Sequence, residues 1–313
     1  MSRPAVLFIV GPTASGKTSL AFGLAKRLDG EILSADSMLI YKGMDIGTAK
    51  PSPAELKKIP HHGINLVPPS KNFSVFEYRE YALKAIRDIV SRGKLPIVAG
   101  GTGFYVRALL EGLTPHPGQD PEIRRKLSRE AVLRGPEVLY RRLLKIDPKR
   151  AKAIGPHNVR RIVRALEIYL VSKRKPSAPV PKSPGLRALG FRPKVIGLNR
   201  DRAALYDAIA RRVDSMFRKG LVAEVKRLSR KKISSTARQG VGYKEVMEAL
   251  RRSKNGRVPR EVKENIKKAT RHFAKRQWTW FKREKGIRWV WWPETASLRT
   301  VRDFILNMVK NEI

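Results

Sequence analysis

The chain has no cysteine among its 313 residues, which excludes disulfides, thiolate metal sites, cysteine nucleophiles and zinc knuckles. A reducing compartment is consistent with that absence. Acids are scarce: 27 Asp+Glu stand against 67 Lys+Arg, a formal charge of +40. Such a surplus implies a polyanionic partner, unless it is only a solvated basic surface. No apolar run approaches the roughly 18 residues of a membrane span. The opening Met1-Ser2-Arg3-Pro4 runs straight into Ala5–Val10, too short for a secretory h-region and cleavage site. The expectation is a soluble cytoplasmic protein without membrane contact, and nothing in the sequence asks for more than a monomer.

Ala5–Val10 is a continuous apolar run ending in a glycine loop, and the helical pattern Lys17 to Leu28 follows with Leu20, Leu24 and Leu28 on one face. That reads as a buried strand, a loop and a helix. A second strand over Glu31–Ser34 leads into Asp36, a helix spans Phe76–Arg92, and a third buried strand over Leu95–Ala99 closes on Gly100-Gly101-Thr102-Gly103. Alternation of this kind predicts an α/β fold, a parallel sheet with helices on both faces. From about residue 115 the pattern is helical without strand signals, and residues 121–190 carry 19 Lys+Arg against 5 acids. The predicted organisation is a core of 1–114 and 191–313, with 115–190 inserted as a basic helical lobe. In the last third, Val195–Asn199 returns to strand, Asp201 caps a helix reaching Lys219, and Pro259 opens a helix to about Lys282. Ile287–Trp292 is a final strand and Ser297–Asn311 a closing helix. Residues 251–290 again hold 15 Lys+Arg and 3 acids.

The residues Gly11-Pro12-Thr13-Ala14-Ser15-Gly16-Lys17-Thr18 match the phosphate loop G-x4-G-K-[ST] in full. Its glycines let backbone amides turn towards phosphate oxygens, Lys17 supplies a point charge, and the Thr18 hydroxyl can hold Mg²⁺. A triphosphatase usually adds an apolar strand ending in an Asp for that metal. Here the candidate strand ends in glycines, so ATP hydrolysis is not the expected reaction. Asp36, past the second strand, belongs at the same sheet edge as the loop. It is either a general base or the cap of a turn with Ser34 and Ser37. Thr102 is either a hydroxyl contact among glycines that admit a ligand or part of a plain tight turn.

Taken together the segments resemble one family, the tRNA dimethylallyltransferases or tRNA isopentenyltransferases, over about residues 4–292. The resemblance rests on the loop, Ser34–Ser37, the highly specific block Ile40–Lys50, Gly100–Tyr105, Asp120–Arg124, Arg161–Glu167, Gly240–Glu245 and Lys275–Trp280. It implies a P-loop-type catalytic core and a dimethylallyl diphosphate whose diphosphate sits in Gly11 to Thr18, with Mg²⁺ at Thr18 and Arg212 as a further cation. The acceptor would be N6 of adenine 37 in the tRNA anticodon stem-loop, flipped out of its stack. Asp36 would accept the N6 proton, with Thr102 at the same site and Lys17 assisting the leaving group. Blocks that touch tRNA in the family match Asp36, Ser37, Met38 and Leu39; Arg124; Arg160, Arg161, Ile162, Val163 and Arg164; Arg238, Gln239, Gly240, Val241, Gly242 and Tyr243; and Lys275, Arg276, Gln277 and Trp278, running on to Arg283. Of the aromatics Trp278, Trp280 and Phe281, part is expected to be core.

The chain departs from the family where Leu39 replaces a common Gln, Asn65 and Pro68 replace acids, and Arg174 replaces Gly. Absence of cysteine and an end at Ile313 suggest the bacterial type, since eukaryotic members often append a Cys/His finger. Three rivals stay open on sequence: prenylation of free adenine nucleotides, a P-loop kinase with an incidental RNA surface, and a non-catalytic RNA binder retaining the loop. The basic clusters, the missing acidic strand end, and the intact Lys17, Thr18 and Asp36 argue against each in turn.

Overall fold

The computed structural model describes residues 3–253, 255–310 and 313; Met1, Ser2 and Asn311, named above, lie outside them. Two compact units are formed, Met1–Gly112 with Pro184–Ile313, and Leu113–Ser183. The first opens with β1 (Ala5–Val10), α1 (Lys17–Arg27), β2 (Gly30–Ser34), α2 (Pro53–Lys58), β3 (His61–His62), α3 (Val75–Ser91), β4 (Leu95–Gly100) and α4 (Gly103–Glu111). The second holds α5 (Pro121–Arg134), α6 (Pro136–Ile146), α7 (Pro148–Ile154) and α8 (Val159–Ser172). The first resumes with β5 (Arg192–Arg200), α9 (Arg202–Arg218), α10 (Leu221–Ser229), α11 (Tyr243–Arg252), α12 (Arg260–Phe281), β6 (Ile287–Trp292) and α13 (Leu298–Val309).

Six parallel strands lie in the order β3-β2-β4-β1-β5-β6. β1 is central and covered on both sides, which is why its sequence reads as an unbroken apolar run. Val6, Phe8 and Val10 pack with α3 and α4, while Leu7 and Ile9 pack with α1 and α13. The register brings Val10 opposite both Gly100 and Gly197, and Ser34 opposite Ala99. The carboxyl ends of β1, β2 and β4 therefore finish at one level, and the residues that follow them gather at one edge.

The second unit owes its helices to punctuation. Pro121, Pro136 and Pro148 each occupy a first helical turn, where a missing N–H costs nothing, and Asp120 and Asp147 cap α5 and α7 through their side chains. Leu127, Leu139, Leu143, Ile162 and Leu166 form its core. Its last residue is Ser183, not the 190 read from sequence. Leu186 is fully buried in the first unit's core and its N–H donates to Leu109 O at 2.9 Å, so the chain has already rejoined the sheet unit there.

Candidate active site

Burial of β1 pins the start of the phosphate loop. Gly11 has φ 141°, and a Cβ there would lie 2.2 Å from Leu198 O. Gly16 has φ 97°, and its Cβ would sit 2.5 Å from the Trp292 ring. Only glycine fits either place. Gly16 starts α1 without a side-chain cap, so the first-turn amides have no internal acceptor and suit an anion. Ser15 is fully buried and its Oγ has no partner among the described residues. Lys17 Nζ donates to Pro12 O at 2.5 Å. Burial pushes its ammonium down to about 7, with Asp36 opposing the shift and Arg212 adding to it.

Around this loop lies a cavity of about 310 Å³, walled by Thr13, Ala14, Gly16, Lys17 and Thr18, and by Asp36, Thr48 and Arg212 across from them. A second cavity of about 240 Å³ shares Thr13, Asp36, Thr48 and Arg212 with the first, and is otherwise rich in apolar side chains: Met38, Val213, Met216, Ile266 and Phe273. Asp36 thus borders both a cationic chamber and an apolar one. Among the described residues it is also the only acid on either wall.

The hydrogen bonds of Asp36 match the turn reading. Its Oδ1 accepts Met38 N–H at 2.8 Å, and its own N–H donates to Ser34 Oγ at 3.3 Å. Met38, not Ser37, closes the turn. Thr102 Oγ1 accepts Ser37 N–H at 3.0 Å, clamping the next residue. Arg212 donates to Thr48 O at 2.9 Å; burial lowers its pKa, and Asp36 opposes that.

The Ile40–Lys50 block owes its shape to Glu224, which sequence reasoning did not single out. This buried carboxylate accepts the N–H groups of Asp45, Ile46 and Gly47 and the Tyr243 hydroxyl at 2.6–3.2 Å. Lys50 ties the same loop from within, donating to Tyr41 O, Asp45 Oδ1 and Asn65 Oδ1. Thr48 and Ala49 are thereby held on the cavity wall. A lone acid between basic stretches gives no sequence signal of such a role.

The Gly100–Gly103 turn corrects one expectation. A Cβ on Gly101 would lie 2.2 Å from Gln277 Nε2, and one on Gly103 2.2 Å from the Trp280 ring. Those two glycines admit α12, and Gly101 also lines the cationic cavity. Gln277 is buried, accepts Thr13 N–H at 2.7 Å and donates to Gly101 O at 2.9 Å. It braces the phosphate loop. Tyr243 is likewise buried on Glu224 and Gly47. Ile162 and Val163 are core residues of the second unit, so their side chains cannot reach a partner. Arg124 and Arg164 bind the fully buried Glu167 at 2.7–2.9 Å, and Arg164 also holds Pro117 O and Gly118 O. Trp278 is packed edge-on against Trp289 and Trp291, at 4.6 and 5.7 Å between ring centroids. Pro12 has no N–H, and its carbonyl is taken by Lys17.

Most of the remaining expected residues are open to a partner. Arg160, Arg161, Arg238, Gln239, Lys275 and Arg276 are exposed, and Val241 is half-buried. Met38, Gln239, Gly240, Val241 and Arg276 line the apolar cavity, Leu39 the cationic one. Gly242, at φ 92°, starts α11 and lines neither. Thr18 is exposed at the cationic cavity's mouth.

The family model described as IPP transferase matches residues 39–284, and one described as isopentenyl transferase matches residues 4–64. A tRNA dimethylallyltransferase from Acetivibrio thermocellus is 47% identical over 288 residues, 91% of each chain. The crystal structure of the full-length tRNA isopentenylpyrophosphate transferase from Bacillus halodurans is 36% identical, with a TM-score of 0.69 over 99% of this chain and 98% of that one. A eukaryotic dimethylallyltransferase solved acting on tRNA superposes with a TM-score of 0.81 at 29% identity, over 99% of this chain and 79% of that one. The chain belongs to the IPP transferase family and is a prenyltransferase.

Proposed function

We propose that this enzyme transfers the dimethylallyl group of dimethylallyl diphosphate to N6 of adenosine 37 in tRNA, beside the anticodon, with release of diphosphate. The observation that carries the reading is Asp36 standing on the shared wall of a cationic and an apolar cavity. The diphosphate occupies the loop from Gly11 to Thr18, held by backbone amides, Lys17 and Arg212, and the five-carbon chain points towards the apolar side chains. The C1–O bond breaks as the N6–C1 bond forms, the diphosphate leaves with the bonding pair, and the N6 proton passes to Asp36. Its Oδ1 is committed to the turn with Met38, so Oδ2 takes the proton. Thr102 positions this turn by holding Ser37. Catalysis is then mainly orientation plus stabilisation of the departing diphosphate.

A metal fits on limited terms. No group of three His, Asp or Glu among the described residues could hold one, but a threonine hydroxyl completed by phosphate oxygens and water suits Mg²⁺. Thr18 would hold it, and when bound it adds positive charge to the diphosphate. The tRNA is gripped through exposed cations, Arg160, Arg161, Arg238, Lys275 and Arg276, which set register on phosphates. No described helix is long and apolar enough to cross a membrane, and the reading places the enzyme in the cytoplasm.

The test is transfer of label from dimethylallyl diphosphate, with Mg²⁺, to unmodified tRNA or to AMP. Label in tRNA is expected. Label in AMP but not in tRNA would favour the free-nucleotide rival and overturn the reading.

A further inference from the structure

Residues Arg218 to Lys232 hold seven Lys+Arg and one acid. That acid is Glu224, whose carboxylate is buried and spent on the 45–47 backbone and Tyr243. It is not free to pair with the surface cations around it. The end of this segment, Arg227 to Ile233, forms one wall of a cavity of about 470 Å³, with Lys42–Gly43 and Pro68–Ser70 as the others. The walls are tied together: Lys42 N–H donates to Val67 O at 2.9 Å, Ser234 N–H to Pro69 O at 2.8 Å, and the Arg227 side chain donates to Gly43 O at 3.3 Å. Lys42, Arg227, Lys231 and Lys232 line it, and no described Asp or Glu does. Lys42, Lys231 and Lys232 have no ion pair among the described residues.

We propose that this cradle is a phosphodiester site that grips the tRNA backbone away from the reaction centre, an inference resting on the tRNA reading above. It shares no residue with either cavity of the active site. Four like charges on a tied backbone repel one another until a polyanion supplies counter-charge, which is the physics of phosphate neutralisation. None of the exposed large apolar side chains lies in the cradle. An interfacial membrane site or the centre of a protein interface would call for some. Nucleic-acid surfaces are positive in this way.

The experiment measures tRNA affinity against salt for the full chain and for the triple variant Lys42→Gln, Lys231→Gln, Lys232→Gln, which leaves Arg227 on Gly43. Each phosphate that is no longer neutralised lowers the slope of log affinity against log salt by about 0.9 on duplex. For three such phosphates, a fourfold rise in salt costs the variant about 40-fold less affinity than it costs the parent. Pyrophosphate affinity, read at the Gly11–Thr18 loop, stays unchanged. Equal slopes would overturn the cradle while leaving the tRNA reading intact; absence of transfer to tRNA by the parent enzyme would instead sink that reading. Weaker tripolyphosphate binding with an unchanged tRNA slope would mark a free-anion site and also overturn the cradle.

Discussion

At the scale of single residues, the proposed transfer gives Asp36 and Lys17 opposite duties. Asp36→Asn keeps the oxygen that accepts Met38 N–H but cannot take a proton. Transfer should therefore fall about 10²–10⁴-fold in single-turnover assays, while tRNA and pyrophosphate affinities hold; a fall in both affinities would make Asp36 structural. Lys17 predicts a proton linkage. Its ammonium is held down to about 7 in the free enzyme, and a diphosphate beside it favours the charged form, raising that pKa. Between the two values binding takes up a proton, so affinity falls as pH rises above about 7. Calorimetry in buffers of differing ionisation enthalpy should count fewer protons for Lys17→Met. The positions of the loop, Asp36 and Thr102 in the fold were legible in the sequence because each follows an unmistakable buried strand. Gln277, Tyr243, Arg124 and Arg164 also make internal bonds, which the sequence did not reveal because a motif block does not say which way its side chains point.

Among elements, α12 and the Gly100–Gly103 turn are the coupling to test. Gln277→Leu leaves Thr13 N–H and Gly101 O without their partner, at about 1–3 kcal/mol for each unsatisfied group. Urea unfolding should show that destabilisation, and pyrophosphate binding should weaken with it because Thr13 lines the cavity. Unchanged stability would mean water replaces the brace. On the opposite sheet edge Glu31 joins β2, β3 and α3, bonded to His62 at 2.7 Å and to Arg92. Hydrogen bonds from Arg92 hold its carboxyl down to about 2. The stabilisation is complete above the unfolded value near 4.5 and is lost as pH falls through about 2. Glu31→Gln should flatten the fall in melting temperature over that acid range. The long elements could be read from periodicity, while α2, β3 and α4 could not. Six residues, two residues, and a glycine start are too short or too ambiguous to show a period.

Over the whole molecule, net charge hides where the acids go. In the second unit Asp147 and Glu167 are buried, spent on Arg150 and Ser177 and on Arg124 and Arg164. Fewer acids are left to offset the cations exposed to a polyanion, and tRNA affinity should fall steeply with salt. Composition alone revealed the surplus but not this sorting. The central claim is a prenyl transfer from the loop, past Asp36, to one RNA base. It is tested most directly by mapping the product: digest tRNA incubated with dimethylallyl diphosphate and locate the added group by mass spectrometry. The account predicts a single modified adenosine at position 37 with the parent enzyme and almost none with Asp36→Asn. Modification at another nucleotide, or equal product from the variant, would contradict it.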